Sequence, residues 1–146
     1  MDRKLWLKVA AGLSFSMAAC QLAIAVWPAA AEYFQAPPSL LNDHVQLFVV
    51  GATAALIPLL LGLYALSGAG VIRRLPLLRT ALIVTGSLFL LRGLLIVLPI
   101  LVVLGVRQGQ VLLPGVASHL VFLSAGVAYL GGAVLNWKSL KSLRPR

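Results

Sequence analysis

Charge is scarce in this chain. Only 10% of its 146 residues are charged, and just three are acidic: Asp2, Glu32 and Asp43. A soluble domain carries about 25% charged residues, so a water-soluble fold could not cover itself with polar surface. There is one cysteine, Cys20, which excludes an intramolecular disulfide and a multi-cysteine metal site. Cys20 falls inside an apolar stretch with no basic neighbour to activate its thiol, and reads as a packing residue. The sequence has no G-x-S-x-G, H-E-x-x-H or C-x-x-C pattern and no P-loop, so hydrolase, zinc-protease, thiol-redox and nucleotide-binding readings have no support. No lysine lies deep in an apolar run, which removes a retinal Schiff base. No arginine ladder is present, which removes a voltage sensor.

Apolar residues are what the chain has, at 61% hydrophobic and a mean hydropathy of +1.02. They form four runs, at about 5–27, 45–66, 81–104 and 116–137. Each meets the roughly 20-residue length that carries a helix across about 30 Å of hydrocarbon. The runs are continuous, unlike the alternating strands of a barrel, and backbone polar groups in lipid must be satisfied within the segment. The expectation is an all-α membrane protein: a single four-helix antiparallel up-down bundle, with its longest loop at 28–44 and a basic tail at 138–146. An uncleaved first span is expected, because its run is longer than a signal peptide's apolar region of about 7–15 residues.

The net charge of +9 does not imply nucleic acid, because the basic residues sit in clusters between the runs. Arg3, Lys4 and Lys8 flank the first, Arg73, Arg74 and Arg79 fill the turn after the second, and Lys138, Lys141, Arg144 and Arg146 form the tail. That is ten of the twelve basic residues on one side, against Arg107 on the other. The positive-inside rule then places both termini in the cytoplasm, with a bacterial cytoplasmic (inner) membrane as the expected location. Arg73, Arg74, Arg79, Lys138 and Lys141 are candidates for binding anionic headgroups. Trp6, Trp27, Tyr33 and Trp137 fall where interfacial aromatics belong.

Caps and small residues add detail. Asp43 with Gln46 reads as a capping box for the second span, Ser67, Gly68 and Gly70 as its end, Thr80 as the N-cap of the third, and Gly105 as that span's close. Pro114 and Gly115 stand at the start of the fourth, and Pro58 and Pro99 are kink sites. Because lipid is as apolar as leucine, small residues drive helix contact in membranes. The stripes Gly12–Ser16–Cys20, Gly51–Ala55, Gly86–Gly93 and Ser124–Ala128–Gly132 are therefore expected to face inward.

Arg92 is the most informative residue. It lies in the middle of the third run, about 18 Å from Thr80 along a helix axis, where a charge costs at least about 2.5–3.5 kcal/mol. It should face the bundle interior. Gln21, Thr53 and Ser124 fall at comparable depth and could form one polar layer with it; His119, about one turn into the fourth run and near the outer face, is a further polar candidate. One reading is an outward-opening pocket for an anion or lipid headgroup; the other is a structural arginine satisfied by carbonyls, hydroxyls and water. His44 and His119, on different spans, are the minimum for a haem or metal site, though their isolation lacks metal-motif spacing. Glu32 and Asp43 could handle a proton or ion, but Asp43 already has a role as a cap and Glu32 sits in a wet loop.

The segment Gly62–Arg79, followed by Leu90-Leu91-Arg92-Gly93, resembles small bacterial four-helix membrane proteins, a resemblance that implies the bundle and no activity. The first expectation for function is a non-catalytic accessory or scaffold subunit without a cofactor, contacting membrane lipids and a protein partner or a second copy of itself. The alternative is a carrier or binding protein for an anionic or amphiphilic ligand, with Arg92 as counter-charge. The third is a haem protein.

Overall fold

The computed structural model describes residues 4–34, 36–105, 108 and 113–141. Of the described residues, 84% are helical and none is in a strand. Eight helices follow one another: α1 (Leu5–Val26), α2 (Pro28–Tyr33), α3 (Pro38–Leu41), α4 (His44–Ala69), α5 (Leu78–Leu94), α6 (Val97–Val103), α7 (Leu113–Leu135) and α8 (Trp137–Lys141). Among the described residues, four segments are long and apolar enough to cross a membrane: α1, α4, α7, and the interrupted rod Leu78–Val103 formed by α5 and α6. Arg3, Arg107, Arg144 and Arg146 lie outside the described residues.

Local signals set the ends. The Asp43 carboxylate accepts from the Val45 and Gln46 amides at 3.0 and 3.1 Å, capping α4. Gly70 ends α4 in the left-handed region at φ 75°, and the Val71 amide reaches back to the Leu66 carbonyl at 3.0 Å, the closing bond of a Schellman turn. Ser67 and Gly68 were expected to end this helix but lie within it. Pro28 and Pro38 open the short helices α2 and α3 in what the sequence suggests is a loop; proline suits a first helical position because its missing N–H would be unpaired there anyway. Thr80 is not a cap. The third span begins at Leu78 behind Leu77, which holds φ 53° with no side-chain cap, so Thr80 falls in the first turn.

The third span breaks at Leu95–Ile96, and Pro99 explains where. A proline lacks an N–H and crowds the carbonyl four residues earlier, which here belongs to Leu95. That carbonyl is taken by the Leu98 amide at 3.0 Å, and the Ile96 amide bonds Gly93 at 3.0 Å. Both bonds are one residue short of the α-helical pattern.

Two pairs of helices carry the packing. α1 lies along α4, with Ala25 against Gly51, Phe15 against Gly62 and Leu7 against Gly68, so the two chain directions are opposed. α5 lies along α7 in the same opposed sense, with Gly86 against Leu130 and Gly93 against Leu123. A Cβ at Gly93 would fall 2.5 Å from the Leu123 backbone, and one at Gly126 would fall 2.5 Å from the Leu90 amide nitrogen. Only glycine permits these backbones to approach so closely.

The pairs join at the end that carries Lys4, Arg79 and Lys138, termed the basic end. There Leu7 meets Gly132, Leu82 meets Gly68, and the buried Ser14 hydroxyl bonds the buried Tyr129 hydroxyl at 2.8 Å. Leu7, Ala10, Ala11, Leu82, Tyr129 and Ala133 form the core at this end. Phe89 stacks edge-on to Tyr129 and Phe122, at 5.7 and 5.3 Å.

Three small-residue stripes face inward at Gly51–Ala55, Gly86–Gly93 and Ala128–Gly132, although Ser124 is exposed. The α1 stripe does not. Gly12, Ser16 and Cys20 are exposed, and nothing lies within 4 Å of a Cβ added at Gly12. α1 packs instead through Leu7, Ala11, Ser14, Ala18 and Ala25, with Gln21 half-buried on the same seam. These positions alternate four- and three-residue steps and keep to one side of a nearly parallel neighbour, whereas a pure four-residue stripe drifts by about 40° per step.

Candidate functional site

At the far end, away from Lys4, Arg79 and Lys138, the two pairs separate and a cavity of about 620 Å³ lies between them. Gln21 and Ile24 of α1 and Leu47, Val50, Gly51 and Ala54 of α4 form one wall. Arg92 of α5 and Ser118 and Phe122 of α7 form the other, and Phe34, Ala36 and Leu40, from the stretch between α1 and α4, line the same space. The lining is mostly apolar, with Gln21, Arg92 and Ser118 as its polar side chains.

Arg92 is positioned by the helix break and by α7. It lies in the last turn of α5, three residues before the break, where a cation is favoured by the helix dipole. Its Nη1 donates to His119 Nδ1 at 3.1 Å, and its guanidinium carbon sits 5.5 Å from the Phe122 ring centroid, within cation–π range. An arginine can only donate, so this bond requires a neutral His119 with its proton on Nε2. The same Nδ1 is 3.3 Å from the Arg92 carbonyl oxygen, which the break has released from its ordinary amide partner. A His119 protonated at Nδ1 would donate to that carbonyl instead. Accepting from the guanidinium and donating to the carbonyl exclude one another.

No carboxylate pairs with Arg92 among the described residues. Glu32 is exposed on α2, and Asp43 is committed to the α4 cap. The guanidinium is hydrogen-bonded, no carboxylate among the described residues neutralises it, and it is accessible from the cavity.

The polar layer expected from depth alone divides in two. Gln21 and Arg92 line the same cavity, joined by Ser118, which depth counting did not single out. Thr53 and Ser124 do not line it. Thr53 Oγ1 donates to the Val49 carbonyl at 2.7 Å and Ser124 Oγ to the Val121 carbonyl at 2.9 Å, so each hydroxyl is satisfied by its own helix. A hydroxyl in an apolar surround takes the nearest carbonyl when no neighbouring helix offers more.

The two histidines occupy different settings. His44 is the exposed first residue of α4 and does not line the cavity, while the half-buried His119 ring is engaged by Arg92. Among the described residues, no group of three His, Cys, Asp or Glu side chains converges to hold a metal ion.

Of the basic candidates, Arg79 is fixed most firmly. Its Nη2 donates to the Trp137 carbonyl at 2.5 Å, and its guanidinium lies 4.5 Å from the Trp137 ring centroid. Arg73, Arg74 and Lys138 are exposed at the same end; Lys141 closes α8, and its side chain lies outside the described residues. No family model, curated protein or solved structure matches this chain.

Proposed function

We propose that this chain is an integral protein of a bacterial cytoplasmic membrane that binds an anionic amphiphile in the cavity beside Arg92. The single observation behind this reading is an un-neutralised guanidinium opening onto about 620 Å³ of mostly apolar space. That volume lies within the usual range for ligand pockets, about 300–1,000 Å³. The charge would hold an anionic head and the apolar wall its tail. In this proposal the four spans form an up-down bundle with both termini in the cytoplasm, because the basic clusters collect at one end. The cavity then opens toward the outer face.

The test is binding of dodecanoate against dodecanol to the purified full chain in a neutral detergent. Dodecanoate should bind more tightly, and Arg92→Leu should weaken it by at least about tenfold, the scale of one lost charge-assisted contact. Binding of dodecanol should stay unchanged. Equal affinity for acid and alcohol, or an Arg92→Leu protein that binds dodecanoate normally, would sink the reading.

One observation favours a second reading, an accessory subunit or homo-oligomer. Gly12, Ser16 and Cys20 form a small-residue face that no helix among the described residues covers, and such faces promote helix association in lipid. Oxidation in membranes should then link Cys20 to Cys20 of a second copy; a chain that stays monomeric under oxidant argues against self-association through this face.

A further inference from the structure

The loop between α4 and α5 builds a second hollow at the basic end, separate from the Arg92 cavity. It measures about 330 Å³ and is lined by residues 74–80 together with Leu140 of α8. Arg74 and Arg79 supply two guanidinium groups, and Thr80 adds a hydroxyl. Leu75, Pro76, Leu77 and Leu140 make the rest of the wall apolar.

Three features shape the hollow before any ligand arrives. The Ser67 hydroxyl, buried in the last turn of α4, accepts from the Leu75 amide at 2.9 Å and donates to the Arg73 carbonyl at 3.2 Å. It fixes the loop on both sides of Arg74. Arg79 is clamped onto Trp137, which leaves its buried Nε without a hydrogen-bond partner among the described residues. α5 begins at this hollow with no side-chain cap and no acid in its first turn, so the field at its start favours an anion.

We infer that this hollow is a phosphoryl-binding site, in which Arg74, Arg79 and Thr80 hold the phosphate of an anionic phospholipid headgroup. Guanidinium groups and a hydroxyl match the oxygens of a phosphate, while the apolar wall and the exposed Leu77 suit the glycerol and upper acyl carbons of a lipid. The hollow lies at an end of the spanning helices, the level at which headgroups sit. A loop whose backbone is already fixed around Arg74 and whose Arg79 is already held loses less freedom on binding than a flexible basic tail. The site therefore goes beyond a general attraction of positive charge to an anionic leaflet, and it does not depend on the reading of the Arg92 cavity.

The experiment compares two arginines that differ by one position. The full chain in phosphatidylcholine nanodiscs is titrated with phosphatidylglycerol, and bound lipid is counted by native mass spectrometry. Arg74→Gln should weaken retention of phosphatidylglycerol about tenfold. Arg73→Gln removes the same charge from a residue that does not line the hollow, and should change retention less than about twofold. Thr80→Val, which leaves the charge and the Trp137 clamp intact, should weaken it by a smaller factor that the Arg73 variant does not match. A parallel titration with inorganic phosphate identifies the source of the ligand. Phosphate that does not displace the lipid supports the headgroup; phosphate that displaces it with the same dependence on Arg74 supports a free phosphate as occupant of the same site. If Arg73→Gln and Arg74→Gln weaken retention equally, or neither does, no built phosphoryl site exists.

Discussion

The seam between the two helix pairs is closed at the basic end and open at the far end. At the closed end Leu7, Leu82, Tyr129 and Ala133 fill the space and the Ser14–Tyr129 bond crosses it. At the open end the same pairs leave about 620 Å³ beside Arg92. The two ends differ in whether the facing side chains interlock, and close packing drives association of membrane helices. Where glycine meets leucine the pairs touch. Where Arg92, Phe122 and Pro114 face Gln21 and Leu47, the walls stand apart.

Substitutions at the close contacts should break this contrast most strongly. Gly93→Ala and Gly126→Ala each place a Cβ about 2.5 Å from backbone atoms of the neighbouring helix. Each should cost about 3 kcal/mol, the upper part of the usual range for overpacking, visible as a large loss of folded protein in detergent melts followed by size-exclusion chromatography. Tyr129→Phe should cost about 1 kcal/mol, because it leaves the buried Ser14 hydroxyl without its partner across the seam. Urea or dodecyl-sulfate unfolding would measure it, and an unchanged midpoint would mean that this bond does not hold the pairs together. The smallest effect should come from the open end. Gly115 lines the cavity, yet an added Cβ there meets nothing within 4 Å. Gly115→Ala should therefore be neutral or stabilise by up to about 0.5–1 kcal/mol through helix propensity, in contrast to the same change at Gly93.

The spans were legible because length and apolarity are properties of a stretch, and each stretch here is long. The Asp43 cap was legible because it needs only neighbours in sequence. A pocket beside Arg92 was one of two readings of that residue, but its walls were not legible, since they arise from the separation of elements far apart in the chain. The link between Arg92 and His119 was missed by one step of counting. The fourth span starts at Leu113 rather than near Val116, which carries His119 nearly a turn deeper, to the level of Arg92. Pro99 offered a usable signal, because the position four residues before it marks where the third span parts. The choice between two small-residue faces on α1 had no signal in hydropathy, since both faces are equally apolar. The regular steps through Leu7, Ala11, Ser14, Ala18 and Ala25 could have decided it.

The break at Leu95–Ile96 also affects how the chain accommodates its solvent. Two segments have 26 residues, His44–Ala69 and Leu78–Val103. At about 1.5 Å per residue each would reach about 39 Å if straight, longer than about 30 Å of hydrocarbon. An unbroken rod meets such a mismatch by leaning as a whole or by stretching the lipid around it. A rod with a joint can angle only its last stretch, and Val97–Val103 has no buried residue to hold it to the rest. A joint there lets thickness mismatch be taken up in those seven residues, beyond the contacts that Arg92 makes with α7.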